Sequence, residues 1–227
     1  MPFNQHAIII GVGPGLGAAL VQKCVGEGMK VSAGARDRDR LRKLLDERGL
    51  HEVPALRCDV TDPASVESAF ADATGDGGAP DLVIFNASGY ARGSILELTA
   101  GQLEAAWRVG CLGGFHVGQA AARLMVPAKR GTILFTGATA SLRGSANFAP
   151  FAIAKFGLRA LAQSMARELG PKGIHVAHVV VDGQIGVSED DSKLNPADIA
   201  EAYWSLYRQP RSAWTLEADV RPWGEKF

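Results

Sequence analysis

Cysteine is scarce in this chain: Cys24, Cys58 and Cys111 are odd in number and lack CxxC spacing. That argues against a disulfide framework and against a zinc site. An excess of one charge is also missing. Lys plus Arg total 24 and Asp plus Glu total 24, so the electrostatic footprint of a nucleic-acid or anionic-membrane binder is not expected. No apolar run approaches membrane-spanning length. The opening residues Met1-Pro2-Phe3-Asn4-Gln5-His6 have neither the basic nor the apolar region of a secretory signal, and a reducing cytoplasm is the expected compartment. No linker, repeat or low-complexity block divides the sequence, and the Gly- and Asp-rich stretch 74–80 reads as a loop. With 227 residues, 47% of them apolar, one domain spanning 1–227 is expected.

Short apolar runs alternate instead with longer amphipathic ones. This rhythm predicts an α/β fold, a Rossmann-type doubly wound parallel sheet of about seven strands with helices on both faces. Strands are expected at 7–10, 30–33, 53–57, 82–85, 132–135, 175–181 and 215–220. Helices are expected at 16–26, 39–48, 63–73, 102–125, 151–169 and 196–208. Thr61-Asp62-Pro63 places a capping side chain before a helix-opening proline, and Gly170-Pro171 closes the long helix.

The first strand runs into Gly11-Val12-Gly13-Pro14-Gly15-Leu16-Gly17 and then a helix. Glycines there let the backbone turn tightly, approach a pyrophosphate and aim helix N-terminal amides at it. A glycine-rich turn that binds nothing is the bland alternative, but the position between first strand and helix is the required context. After the second strand an acid bonds the adenosine ribose, whereas an arginine accommodates a 2′-phosphate. Ala35 falls about 18 residues past Gly17, near the expected place of the acid, and Arg36 follows it. NADP is therefore favoured over NAD, although Arg36 as a solvated loop residue, partly neutralised by Asp37, stays open.

From this point the residues resemble the short-chain dehydrogenase/reductase family along nearly the whole chain. Gly11, Gly15 and Gly17 match its Gly-x-x-x-Gly-x-Gly loop, with Ile10 where a threonine is common. Cys58-Asp59-Val60 resembles the family's Asp-Val pair, which implies that Asp59 contacts adenine. Phe85-Asn86-Ala87-Ser88-Gly89 resembles its Asn-Asn-Ala-Gly stretch, and Phe151-Ala152-Ile153-Ala154-Lys155 its Tyr-x-x-x-Lys helix. The cofactor-binding set that the loop and the resemblance imply is Gly11, Gly13, Pro14, Gly15, Leu16, Gly17, Arg36, Asp59, Val60, Asn86, Ala87, Ser88, Lys155 and Gly183.

The resemblance also implies a Tyr that exchanges a proton with the substrate oxygen and a Lys that lowers its pKa and holds the nicotinamide ribose. It implies further a Ser on the substrate oxygen and an Asn in a water relay. Lys155 is kept. Phe151 stands at the tyrosine position, Ala138 at the serine and Gly110 at the asparagine, as in a subgroup of the family with Phe for Tyr. A phenyl ring has no ionisable proton, so acid/base work at that position is gone. Pro-Gly after the sixth strand is replaced by Asp182-Gly183, and the usual downstream threonine by Val187, beside Ser188.

Tyr90, Asp182 and Thr139 are candidate substitutes for the missing proton donor, against the bland reading of packing and turn residues. His116, His175 and His178 lack a matching acidic cluster and suggest no metal site. Tyr203, Trp204 and Tyr207 either line an apolar substrate pocket or pack their helix. By resemblance, helices 102–125 and 151–169 form the interface of a homodimer or homotetramer. Two readings stand side by side: an oxidoreductase acting on a carbonyl or alcohol, and a cofactor-binding scaffold or regulatory subunit without turnover.

Overall fold

The computed structural model describes residues 5–75 and 78–225. The chain runs β1 (His6–Ile10), α1 (Leu16–Gly26), β2 (Lys30–Ala35), α2 (Arg38–Glu47), β3 (Ala55–Arg57), α3 (Pro63–Thr74) and β4 (Leu82–Phe85). It continues through α4 (Ala100–Trp107), α5 (Gly113–Ala128), β5 (Thr132–Thr136), α6 (Ala149–Leu169), β6 (His175–Val181), α7 (Pro196–Tyr207) and β7 (Glu217–Val220). The loop expected at 74–80 begins where α3 ends; its residues 76 and 77, like residues 1–4, lie outside the described set.

All seven strands are parallel, in the order β3-β2-β1-β4-β5-β6-β7. The central ones are aliphatic runs such as Leu82-Val83-Ile84-Phe85, buried throughout because helices cover both faces. Successive side chains alternate between those faces. Ala7 and Ile9 join Leu20, Leu41 and Tyr203 in one core, whereas Ile8 and Ile10 join Phe70, Val117 and Leu158 in the other. Strand order reverses direction between β1 and β4, which opens a crevice at their C-terminal ends.

Local chemistry fixes most helix starts. Asp37 accepts from the Arg40 amide at 2.9 Å to open α2, and Asp62 accepts from Ala64 N before Pro63 at α3. Thr99 and Gln102 cap each other's backbone amides at α4. The strand expected at 53–57 is confined to 55–57, since Pro54 has no N–H to give the ladder.

The helix expected at 102–125 runs unbroken from Ala100 to Ala128 but is not α-helical throughout. A single π turn, Arg108–Leu112, separates α4 from α5. Gly110, Gly113 and Gly114 lower helix propensity here, and close packing explains two of them. A Cβ on Gly113 would lie 2.6 Å from Val60 Cγ2, and one on Gly114 would lie 2.4 Å from Leu158 Cδ1.

Candidate active site

The glycine loop sits in the crevice and is shaped by backbone approach. Gly11 has φ of +89°, and a Cβ there would stand 2.2 Å from Ala87 N; one on Gly17 would stand 2.7 Å from Val12 Cα. Gly13 and Gly15 are different, because a Cβ on either would meet no heavy atom within 4 Å. They face open space. Asn86 Nδ2 donates to Gly11 O at 3.0 Å, tying the loop to the end of β4. No side chain caps α1 at Gly15 and its first turn carries no acid; the Ala18 amide donates to Gly13 O at 2.9 Å, and the Leu16 and Gly17 amides ahead of it are left for an anion.

Around this loop lies a cleft of two lobes that share Gly11, Gly13, Asn86 and Ser88. The larger, about 1060 Å³, is lined by Pro14, Arg36, Val60, Ala87 and Tyr90. Arg40 and Lys43 of α2 join Arg36 there, two cations that the sequence reading missed. Their signal was available, since a helix opened by Asp37 puts Arg40 in its first turn. Asp37 itself is spent on that cap. The smaller lobe, about 580 Å³, is lined by Gly15, Leu16, Gly17, Lys155 and Gly183, with Ala138, Thr139 and Phe151. Of the expected cofactor set, Asp59 alone is not on the cleft wall. Its carboxylate accepts from Thr61 N at 3.0 Å and Thr61 Oγ1 at 2.7 Å. Those bonds, with Arg36 and Arg57 nearby, hold it below the usual carboxylate range.

Such a cleft fits a nicotinamide dinucleotide: glycines with open space at the middle, cations at one end, and a lysine at the other. Lys155 Nζ donates to Thr136 O at 2.8 Å and is otherwise enclosed. Burial pushes its ammonium down to about 8, and among the described residues no carboxylate pairs with it. Phe151, one turn earlier, packs its ring near Nζ, at 5.8 Å from the centroid. Gly110 lies in the π turn, where a Cβ would stand 3.1 Å from Ala154 Cβ.

The three candidate proton donors are placed very differently. Thr139 Oγ1 donates to Asp182 Oδ1, and Asp182 is buried at the C-terminal end of β6. Tyr90 is exposed and packs edge-on against Phe151 and Phe148, with centroids 5.5 and 6.1 Å away. Tyr203 is not a cleft residue: it is fully buried and donates to Thr136 Oγ1 at 2.8 Å, while Trp204 and Tyr207 pack on each other. His116 and His175 are held by the carbonyls of Val60 and Thr215.

Behind Lys155 lies a group that the sequence did not foreshadow, because β6 and β7 pair only in three dimensions. Glu217 receives Arg159 through two bonds of 2.7 Å and faces His178 Nδ1 at 2.9 Å. His178 is 1% exposed. Desolvation lowers it to about 4, with Lys155 and Arg159 adding to the fall and Glu217 opposing it. The folded chain therefore binds fewer protons than the unfolded chain between pH 6.5 and about 4. Stability should be lost as pH drops from 6.5 towards about 4, by about 3 kcal/mol at most from this group. Urea titrations across those pH values should show a shallower slope for His178→Gln; an unchanged slope would refute the assignment.

Comparison with known proteins adds a second line. A family model described as short chain dehydrogenase matches residues 5–186. A crystal structure of a short-chain dehydrogenase from Rhodopseudomonas palustris is 41% identical with a TM-score of 0.87, covering 98% of this chain and all of that one. A metagenomic short-chain oxidoreductase solved with NADP is 26% identical with a TM-score of 0.84, covering 96% of this chain and 97% of that one. The (+)-borneol dehydrogenase 1 of Salvia officinalis is 33% identical over 195 residues, covering 84% of this chain and 74% of that protein.

Proposed function

Since the chain belongs to the short-chain dehydrogenase family, we propose that it is an NADP(H)-dependent oxidoreductase acting on a carbonyl or alcohol, with an incomplete catalytic set. The observation that carries this reading is the two-lobed cleft, with Arg36, Arg40 and Lys43 at one end and buried Lys155 at the other. With Asp37 and Glu47 lining the same lobe and Glu47 4.0 Å from Lys43, Arg36 and Arg40 are the cations that suit a 2′-phosphate better than two free ribose hydroxyls, and the NADP bound to the metagenomic relative agrees. Gly13, Gly15 and the uncapped start of α1 would hold the pyrophosphate, Val60 and Ala87 would flank the adenosine half, and Lys155 would bond the nicotinamide ribose. The bound nucleotide supplies the hydride chemistry. The chain's part is to orient the substrate, exclude water and handle one proton. Phe148, Phe151 and Ile185 make the substrate end apolar, and the borneol dehydrogenase points to an alcohol of that character.

A second reading, a nucleotide-binding subunit without turnover, is favoured by Phe151, Ala138 and Gly110 at the places of Tyr, Ser and Asn. Fluorescence titration with NADPH and NADH, followed by turnover on a panel of apolar ketones and alcohols, separates the two. Tight NADPH binding with turnover supports the enzyme; binding without turnover supports the second reading; no binding of either nucleotide at millimolar concentration rejects both. In each reading the whole of 1–227 acts as one binding unit in the cytoplasm.

The chain is also proposed to self-associate through the helices α4, α5 and α6. Leu103, Trp107 and Phe115 are among their exposed apolar residues, together with Ile153 and Phe156, an unusual display for a free surface. Sedimentation at micromolar concentration should give a dimer or tetramer, and a monomer there would count against it.

A further inference from the structure

The lost tyrosine leaves a question of proton traffic, and the cleft holds a pair that answers it. We infer that Thr139 holds the substrate oxygen and that Asp182, bonded behind it, is the positioning residue that accepts the proton. The inference rests on the oxidoreductase reading given above and names the residues that perform its proton step.

The geometry is specific. Thr139 lines the lobe that contains Lys155 and Phe151, whereas Asp182 stands behind it at the end of β6. The hydroxyl donates to the carboxylate, so the oxygen of Thr139 keeps lone pairs for a further donor. Asp182 is held in place by its own backbone, since its amide donates to Val220 O at 2.9 Å. A carboxylate that accepts from a cleft-lining hydroxyl is placed to receive a proton through that hydroxyl. Tyr90 is the poorer candidate, because its ring is engaged by Phe148 and Phe151 and its exposed position leaves its proton to bulk water. The apolar wall of Phe148, Phe151 and Ile185 selects a secondary alcohol with an aryl or other bulky apolar arm.

The substrate's O–H bond breaks and its proton passes to Thr139 Oγ, while the Thr139 proton passes to Asp182 Oδ1. The carbinol hydrogen would leave with its bonding pair, as a hydride, to an oxidised nicotinamide dinucleotide, the C–O π bond forming as the C–H bond breaks. The hydride would thus pass to the nucleotide, and the hydroxyl proton would reside on Asp182 until it returns to the cleft through Thr139.

The probe is 1-(4-fluorophenyl)ethanol, titrated by fluorine NMR with and without saturating NADP, alongside its oxidation followed by nucleotide absorbance. Affinity for NADP is measured separately by fluorescence. Thr139→Val should lose about tenfold in alcohol affinity, as expected for one hydrogen bond, with NADP affinity unchanged, and Thr139→Ser should restore it. Asp182→Asn should bind the alcohol within about threefold of wild type yet oxidise it at least 100-fold more slowly, the scale of a lost general base. A Thr139→Val variant that binds as well as wild type, or a wild type that does not bind the alcohol, overturns the inference. An Asp182→Asn variant of full kcat overturns the proton-accepting half. Failure of the oxidoreductase reading looks different: alcohol binding that depends on Thr139, with no oxidation by the wild type.

Discussion

Replacing Lys155 by Met is expected to raise the stability of the fold at pH 7 while weakening its hold on NADPH. Burial lowers the Lys155 ammonium from 10.5 to about 8. The unfolded chain therefore binds more protons than the folded one between about pH 8 and 10.5. Unfolding becomes harder as pH rises through that window, and the full penalty of enclosing the charge is present below it. Its size is about 3 kcal/mol. Methionine has a similar shape and no charge, but it gives up the bond to Thr136 O, worth about 1 kcal/mol. The net expectation is a gain of about 2 kcal/mol in guanidinium unfolding at pH 7, vanishing by about pH 10. NADPH affinity should fall about tenfold through loss of a charged hydrogen bond. A variant equal to or less stable than wild type at pH 7 would contradict the account. An unchanged NADPH affinity would remove Lys155 from the binding set.

The second large effect lies at the other end of the cleft. An Arg36→Ala, Arg40→Ala double variant is expected to lose about 150-fold in NADPH affinity and to change NADH affinity by less than about twofold. Each guanidinium bond to a phosphate contributes about 1.5–3 kcal/mol in favourable settings. Both side chains are exposed, so the lower end of that range is used, with Lys43 still present. Salt gives an independent check: NADPH binding by the wild type should weaken as ionic strength rises, and NADH binding much less. Equal losses for the two nucleotides would mean that Arg36 and Arg40 hold the adenosine as a whole rather than a 2′-phosphate.

These expectations rest on features that were unequally visible in the sequence. The sheet was legible because each strand is a short apolar run and each helix start carries its own signal, as at Asp62-Pro63. The glycine loop was legible because Gly11 and Gly17 occupy places where any Cβ would strike the backbone. Lys155 and Phe151 could be placed one turn apart from their spacing. Contacts between distant segments could not. Thr139 and Asp182 lie on different β–α connections, and only the β5–β6 pairing brings them together. His178 and Glu217 meet because β6 and β7 are neighbours in that register. Arg40 was hidden differently: its charge was plain, but its direction depends on where Asp37 starts the helix.

The π turn at Arg108–Leu112 has a consequence for tolerance to deletion. A π turn holds one residue more than an α turn, and one residue corresponds to about 100° of helix rotation. Removing a single residue there would let α4 and α5 fuse into one regular helix. Because the extra residue is absorbed within the turn, its removal would leave Val117, Ala121 and Met125, all fully buried, facing the sheet as before. Loss of one residue should therefore be tolerated in this turn far better than within α4 or α5, where it would rotate the buried face by about 100°.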